Sequence, residues 1–392
     1  MKSEWNTSAI ANICKVVTDG SHTSPKSVSH GKYMVSVKDF TPYGFDFNGC
    51  RQISFADYEK LKSSGCVPQK GDILIGKDGA RYFEDIIIYN QDEAPALLSS
   101  IAILRCDEEK VIPEYLYYLL KTPSFKKDVK DNYGSGSAIP RIILKDFKRM
   151  KAKYPSIEKQ RQIVSILHDL DAKIFNNQKV NDNLEQQAAA LFSSLYNRSN
   201  TEVRYTDLIQ ILGGGTPKTG ETAYWNGNIA FFTPKDVGTP YTFITEKTIT
   251  EEGLSHCNSR LYPVNTVFVT ARGTVGKVGL SGVPMAMNQS CYALVGKETH
   301  QLLVYFYTLK AVDRLKHKAS GAVFDAITTR DFDSEQIMKL SDDDAKAFLC
   351  VAEPMFQEIL NNSIENLRLS TLRDFLLPKL MSGEIDVSSV QL

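Results

Sequence analysis

The chain has 392 residues, of which 42% are hydrophobic and 23% charged. Those values are ordinary for globular proteins and exclude wholesale disorder and fibrous repeats, while the length corresponds to two or three packed units at roughly 150 residues per domain. Lys+Arg and Asp+Glu both total 46, so the formal net charge is zero and no overall positive field draws the chain towards phosphates; any nucleic-acid binding has to come from local patches.

No apolar run approaches the roughly 20 residues of a bilayer span, and Met1-Lys2-Ser3-Glu4-Trp5-Asn6 lacks the apolar core of a signal peptide. A cytoplasmic location with no membrane partner is therefore expected. The cysteines, at 14, 50, 66, 106, 257, 291 and 350, are scattered and form no C-x-x-C. They read as buried thiols of a reducing compartment rather than as disulfides or zinc ligands.

In chain order, the segments form an internal duplication. The first copy runs Asp19-Gly20-Ser21-His22-Thr23-Ser24-Pro25-Lys26, Val35-Ser36-Val37-Lys38-Asp39 and Gly71-Asp72-Ile73-Leu74-Ile75-Gly76-Lys77. The second answers with Gly213-Gly214-Gly215-Thr216-Pro217-Lys218, Phe232-Thr233-Pro234-Lys235-Asp236 and Asn265-Thr266-Val267-Phe268-Val269-Thr270-Ala271-Arg272. Alternating β-branched runs predict strands at Ile86 to Tyr89, Ile101 to Arg105, Thr266 to Thr270 and Cys291 to Val295. Aromatic-rich stretches at Tyr115 to Leu120 and Leu303 to Leu309 predict helices, each followed by Ser135-Gly136-Ser137-Ala138 or Ser320-Gly321-Ala322-Val323. Past that element the copies superpose without a gap, so that Asp146-Phe147 falls on Asp331-Phe332.

Each copy closes on a heptad seam. In the first it passes through Leu167, Leu170, Ile174, Asn177, Asn181, Leu184, Ala188, Leu191 and Leu195. In the second it passes through Phe348, Ala352, Met355, Ile359, Asn362, Asn366, Leu369, Arg373, Leu376 and Leu380, weaker at Arg373 and with an interruption expected at Pro354. Two long amphipathic helices need each other to hide their stripes, and a pseudo-two-fold relation between the copies makes them antiparallel. Asn177, Asn181, Asn362 and Asn366 set the register, because an Asn facing Asn finds a hydrogen-bond partner and one facing Leu does not. Ser156 and Ser341 are placed as helix N-caps. The expected fold is α+β: two similar α/β domains at 1–154 and 199–341, separated by long antiparallel helices at 155–198 and 342–392.

No catalytic constellation assembles. Gly273-Thr274-Val275-Gly276-Lys277-Val278 is too short between its glycines for a phosphate loop and has no Ser or Thr after the lysine. Gly134-Ser135-Gly136-Ser137-Ala138-Ile139 fails the dinucleotide pattern at its last position. The histidines occur singly, without metal-ligand spacing. An Asn-Pro-Pro-aromatic tetrapeptide, as an amino-methyltransferase would use, is absent. The expected role is non-catalytic, with no metal and no cofactor of its own.

What remains are cationic, amide and hydroxyl groups on Gly-flanked loops, the residue types that bond phosphates and base edges. These candidate DNA contacts are Lys26, Lys38, Lys77, Arg81 and Tyr82 in the first copy. In the second they are Lys218, Thr219, Lys235, Arg272, Thr274, Lys277, Asn288 and Gln289. A solvated surface is the alternative for each lysine, a turn cap for the Asn288-Gln289 amides, and a core role for Trp225.

Five segments resemble specificity subunits of type I restriction-modification systems. They are Gly214-Gly215-Thr216-Pro217-Lys218 with Tyr224-Trp225-Asn226-Gly227-Asn228-Ile229 and Thr233-Pro234-Lys235-Asp236; Pro155-Ser156-Ile157-Glu158-Lys159-Gln160-Arg161-Gln162-Ile163-Val164; and Leu372-Arg373-Asp374-Phe375-Leu376-Leu377-Pro378-Lys379-Leu380-Met381-Ser382-Gly383-Glu384-Ile385. The resemblance spans nearly the whole chain. It implies two target-recognition domains that each read half of a bipartite, asymmetric double-stranded DNA site, with helices that set the gap. It also implies two modification (methyltransferase) subunits seated on those helices and restriction (motor-nuclease) subunits joining them, S-adenosylmethionine and ATP belonging to the partners. Ser341-Asp342-Asp343-Asp344 departs from the helix entry of the first copy. The rival readings are a duplicated assembly scaffold that never touches DNA and a degenerate sugar- or nucleotide-binding enzyme.

Overall fold

A computed structural model describes residues 5–134, 140–238, 240–318 and 326–387. The two Ser-Gly elements, and with them most of Gly134-Ser135-Gly136-Ser137-Ala138-Ile139, lie outside the described residues. The chain divides into two compact units, one of Met1–Lys173 with Arg368–Leu392 and one of Ile174–Leu367.

The first unit is built on an antiparallel sheet in the order Cys14–Asp19, Ile101–Cys106, Ile73–Gly76, Ile86–Ile88. Its inner strands Ile101–Cys106 and Ile73–Gly76 are largely apolar on both sides because both faces are covered. Ile73, Ile75, Ala102 and Leu104 enter one core with the helix Pro113–Lys121, and Leu74, Ile87, Ile101 and Ile103 enter another. A smaller sheet sets Lys32–Val35 antiparallel to Gln52–Ile53 and parallel to Ala96–Leu97. A two-stranded ribbon joins Asn6–Ala9 to Lys151–Tyr154.

The second unit repeats this plan. Its main sheet runs Ile209–Gly213, Cys291–Gly296, Val267–Thr270, Val278–Ser281, with Tyr241–Thr242 added at one edge. The alternation also recurs, Val267 and Val269 facing one core and Phe268 the other. Trp225–Phe232 lies antiparallel to Lys247–Ile249 and parallel to Met285–Met287, and Thr201–Arg204 pairs with Gln336–Lys339. The predicted strands and both aromatic-rich helices are all present. One difference has a local cause: Thr122-Pro123 splits the first unit's helical stretch into Pro113–Lys121 and Pro123–Asn132, whereas Gln301–Lys318 runs unbroken. Proline starts a helix well and continues one badly.

Two long helices, Ile157–Arg198 and Asp342–Ser382, follow the globular parts. Ser156 Oγ and Ser341 Oγ accept the Lys159 and Asp344 amides at 3.5 and 3.1 Å, as N-caps do. In the first unit Ile163 and Leu167 pack with Leu377, Leu380 and Met381, and Arg373 Nη1 donates to Asp171 Oδ1 at 2.8 Å. In the second, Asn177 Nδ2 donates to Asn366 Oδ1 at 2.9 Å and Asn362 Nδ2 to Asn181 Oδ1 at 3.0 Å. Rising numbers on one helix meet falling numbers on the other in both units, so the helices are antiparallel. The described helices include none long and apolar enough to cross a membrane.

Two expectations are corrected. The second long helix is continuous through Pro354. Pro354 is on an exposed face, where water can meet the carbonyl it leaves free, while Phe348, Ala352, Phe356 and Ile359 on the other face are nearly fully buried. Burial of several apolar side chains, at about 1.5–3 kcal/mol each, outweighs the roughly 3 kcal/mol cost of an interior proline. The cysteines are not uniformly buried either: Cys14, Cys66, Cys106 and Cys291 are, Cys50 and Cys257 are partly covered, and Cys350 is exposed on the second long helix.

Candidate nucleic-acid interface

Two matching turns present the first pair of candidate lysines. In Val35-Ser36-Val37-Lys38-Asp39 the Asp39 carboxylate accepts the Ser36 amide at 2.7 Å and its hydroxyl at 3.1 Å. In Phe232-Thr233-Pro234-Lys235-Asp236 the Asp236 carboxylate accepts the Thr233 amide and hydroxyl at 2.8 and 2.6 Å. Each aspartate closes the turn and leaves the preceding Lys38 or Lys235 exposed. The Ser/Thr-x-x-Asp spacing carries this signal in the sequence, and sequence reasoning weighed the lysines without it.

The loop after the central strand supplies the second element. In the first unit it shares with Lys38 a cleft of about 540 Å³ that includes Val37, Phe40, Gly79, Arg81 and Asp85. Arg81 is exposed and donates to Asp85 Oδ1 at 2.9 Å, an ion pair that holds its guanidinium pKa above the ordinary value. Lys77 departs from expectation: it is buried, with Nζ 3.3 Å from Asp19 Oδ2 and 3.7 Å from Asp78 Oδ1. A buried lysine needs a carboxylate, so it braces the loop from beneath rather than offering charge to solvent. Tyr82 is half-buried against the core, and Lys26 is exposed on the segment after Asp19.

In the second unit Arg272-Gly273-Thr274-Val275-Gly276-Lys277 is a hairpin loop between Val267–Thr270 and Val278–Ser281. Thr270 N–H donates to the Lys277 carbonyl at 3.0 Å and Lys277 N–H to Thr270 Oγ1 at 2.9 Å. Gly273 and Gly276 take φ of 81° and 73°, a left-handed backbone that glycine adopts without a Cβ penalty. No helix follows, which removes the phosphate-loop reading on geometry as well as spacing. Arg272, Thr274 and Lys277 are exposed, and a Cβ on Gly273 would sit 3.9 Å from Pro234 Cβ. The hairpin thus adjoins the turn that carries Lys235.

Gly214 closes the arrangement. A Cβ there would stand 2.2 Å from the Asn288 carbonyl oxygen, as one on Gly20 would stand 2.3 Å from that of Leu97, so only glycine lets the two backbones meet. Thr216 then donates to the side-chain oxygen of Gln289. Asn288 Oδ1 accepts the Ser290 amide at 3.0 Å, the turn-capping use of its amide. Lys218 and Thr219 are exposed; the Lys218 carbonyl takes the Trp225 indole N–H at 3.2 Å. Trp225 is half-buried, edge-on to Phe231 at 5.5 Å, with Lys247 Nζ 5.5 Å from its ring centre. The structure therefore gathers Lys38 with Arg81, and Lys235 with the Arg272 to Lys277 hairpin. It removes Lys77.

A mixed α/β body is built twice, each copy closing on a long helix. The chain belongs to the type I restriction modification DNA specificity domain family, whose model matches residues 2–186 and 197–339. It is similar to the type I restriction enzyme MjaIX specificity subunit of Methanocaldococcus jannaschii, 24% identical over 310 residues that cover 72% of this chain and 71% of that protein. It is also similar to the type I restriction enzyme HindI specificity subunit of Haemophilus influenzae, 24% identical over 406 residues, 81% of this chain and 87% of the relative. Among solved structures, the type I restriction-modification system S subunit from M. genitalium shares the fold at a TM-score of 0.61 and 15% identity, covering 97% of this chain and 96% of that one.

Proposed function

We propose that this chain is the DNA-reading subunit of a type I restriction-modification complex, with residues 1–154 and 199–341 each reading one half of a bipartite, asymmetric site. The segments 155–198 and 342–392 set the unread gap and seat two modification subunits, to which the restriction subunits attach. Methyl transfer and cleavage belong to those partners. The observation that carries the reading is the repetition, in both units, of a carboxylate-closed turn and a strand-following loop that together present exposed cations. The contacts assigned are Lys26, Lys38, Arg81 and Tyr82 for one half-site. For the other they are Lys218, Thr219, Lys235, Arg272, Thr274, Lys277, Asn288 and Gln289. Phosphate contacts fix position and base-edge contacts fix sequence. With no net charge, the chain alone binds DNA weakly, and the partner subunits complete the positive surface.

The test is charge reversal in the complex with the modification subunit. Lys38→Glu with Arg81→Glu, and separately Arg272→Glu with Lys277→Glu, are expected to lower affinity for the cognate duplex by tenfold or more and to flatten its salt dependence. Assembly, followed by size-exclusion chromatography, is expected to survive. Unchanged DNA affinity in both variants, or loss of assembly in place of DNA binding, supports the scaffold instead.

A further inference from the structure

Two isolated backbone bridges lie at matching places in the two units. One pairs Asp78 with Arg141 and the other pairs Arg272 with Ala326, both antiparallel. Their equivalence is fixed by the neighbouring bonds: Ile142 N–H donates to the Lys77 carbonyl at 3.0 Å, and Ile327 N–H to the Ala271 carbonyl at 2.9 Å. Ile142 and Ile327 are both buried. Asp78 is therefore the counterpart of Arg272, and Arg141 that of Ala326.

The arginine has changed strands across the bridge. Residues directly opposed in an antiparallel pair project to the same side, with Cα atoms about 4.5–5.5 Å apart. A guanidinium moved from one partner to the other thus stays on the same face, within the reach of its own long side chain. Arg141 is exposed, as Arg272 is, and among the described residues neither guanidinium has an ion pair or hydrogen bond. The charge of Asp78 is met by Lys77 at 3.7 Å. Arg81, by contrast, is tied to Asp85.

We propose that Arg141 is a specificity-determining DNA contact of the first unit, presented where Arg272 stands in the second. This rests on the reading of the loops given above. The planar fork of arginine suits the two acceptors of a guanine edge, which a lysine reaches only as a point charge.

The experiment compares Arg141→Ala, Arg141→Lys and Arg272→Ala in the complex with the modification subunit, mapping methylated sites in a randomised duplex library. Arg141→Ala is expected to lower modification about tenfold and to relax one position of a single half-site, leaving the other half-site unchanged. Arg272→Ala is expected to do the same to the opposite half. Restoration of rate without restoration of base preference by Arg141→Lys marks a base contact; a loss in Arg141→Ala that leaves base preference intact and is restored by Arg141→Lys marks a phosphate contact and overturns the specificity role. A normal Arg141→Ala beside a defective Arg272→Ala overturns this inference alone. Two normal variants overturn the loop reading as well. The thermal midpoint of each variant, expected to be unchanged, separates lost contact from lost folding.

Discussion

Gln160 shows how one side chain ties a helix to its neighbour. It is fully buried, its Oε1 accepts the Ile112 amide at 3.0 Å, and its Nε2 donates to the Lys110 and Pro155 carbonyls at 2.9 Å each. The first turn of the long helix is thereby pinned to the start of Pro113–Lys121. The gapless superposition that sets Asp146 on Asp331 places Ala345 there in the second copy, and a cleft of about 920 Å³ opens beside it, reaching Glu298, Thr299, His300 and Glu353. His300 Nε2 and Glu353 Oε1 close part of the gap, 2.6 Å apart. Gln160→Ala is expected to cost about 1–3 kcal/mol, because it strands the Pro155 carbonyl at a buried site. A urea midpoint equal to that of the parent chain would contradict this. The same superposition sets Met150 on Glu335, so a buried apolar side chain in one copy is a buried carboxylate paired with Lys318 in the other. Such swaps are invisible in either position alone.

At the scale of elements, the paired helices obeyed their heptads closely. The seam positions Leu167, Ile174, Ala188 and Leu195 on one helix, and Phe348, Ala352, Ile359 and Leu380 on the other, are all buried. Asn181 and Asn362 interrupt the apolar seam with a mutual bond, and Asn181 Nδ2 also reaches Ser363 Oγ at 3.3 Å. Asn181→Leu alone leaves Asn362 buried without its partner and is expected to destabilise by about 1–3 kcal/mol. Asn181→Leu with Asn362→Leu is expected to recover most of that loss, since an apolar pair replaces a polar one. Thermal unfolding of the four proteins in the cycle measures the coupling, and additive losses would show that the two amides act independently. Pro354 marks the limit of local rules here: a proline ends a helix only when packing does not hold the turn together.

For the whole molecule, the proposed function makes the helices matter as lengths. A helix of 42 residues spans about 60 Å at roughly 1.5 Å per residue. Seven residues inserted into each helix, at Lys173–Ile174 and Leu367–Arg368 where the chain passes from one unit to the other, would preserve the seam and add about 10 Å. The expected outcome is a methylation pattern with both half-sites unchanged and the gap lengthened by about three base pairs at roughly 3.4 Å each. An unaltered gap would remove the ruler role.

The duplication, the strands and the helical seams were legible in the sequence because each depends on neighbours a few residues away: alternation of period two, a heptad, a serine before a helix. The glycine at 214 was legible as a motif but not as a cause, since the carbonyl it must approach belongs to Asn288. Which cations stand free was decided only by tertiary structure. Lys77 and Arg141 are both cations on loops in the sequence, yet one lies over Asp19 and is buried, and the other extends into solvent across a bridge to Asp78. Burial and ion pairing are set by residues tens of positions distant, which no local pattern encodes, whereas periodicity is written in every turn of the chain.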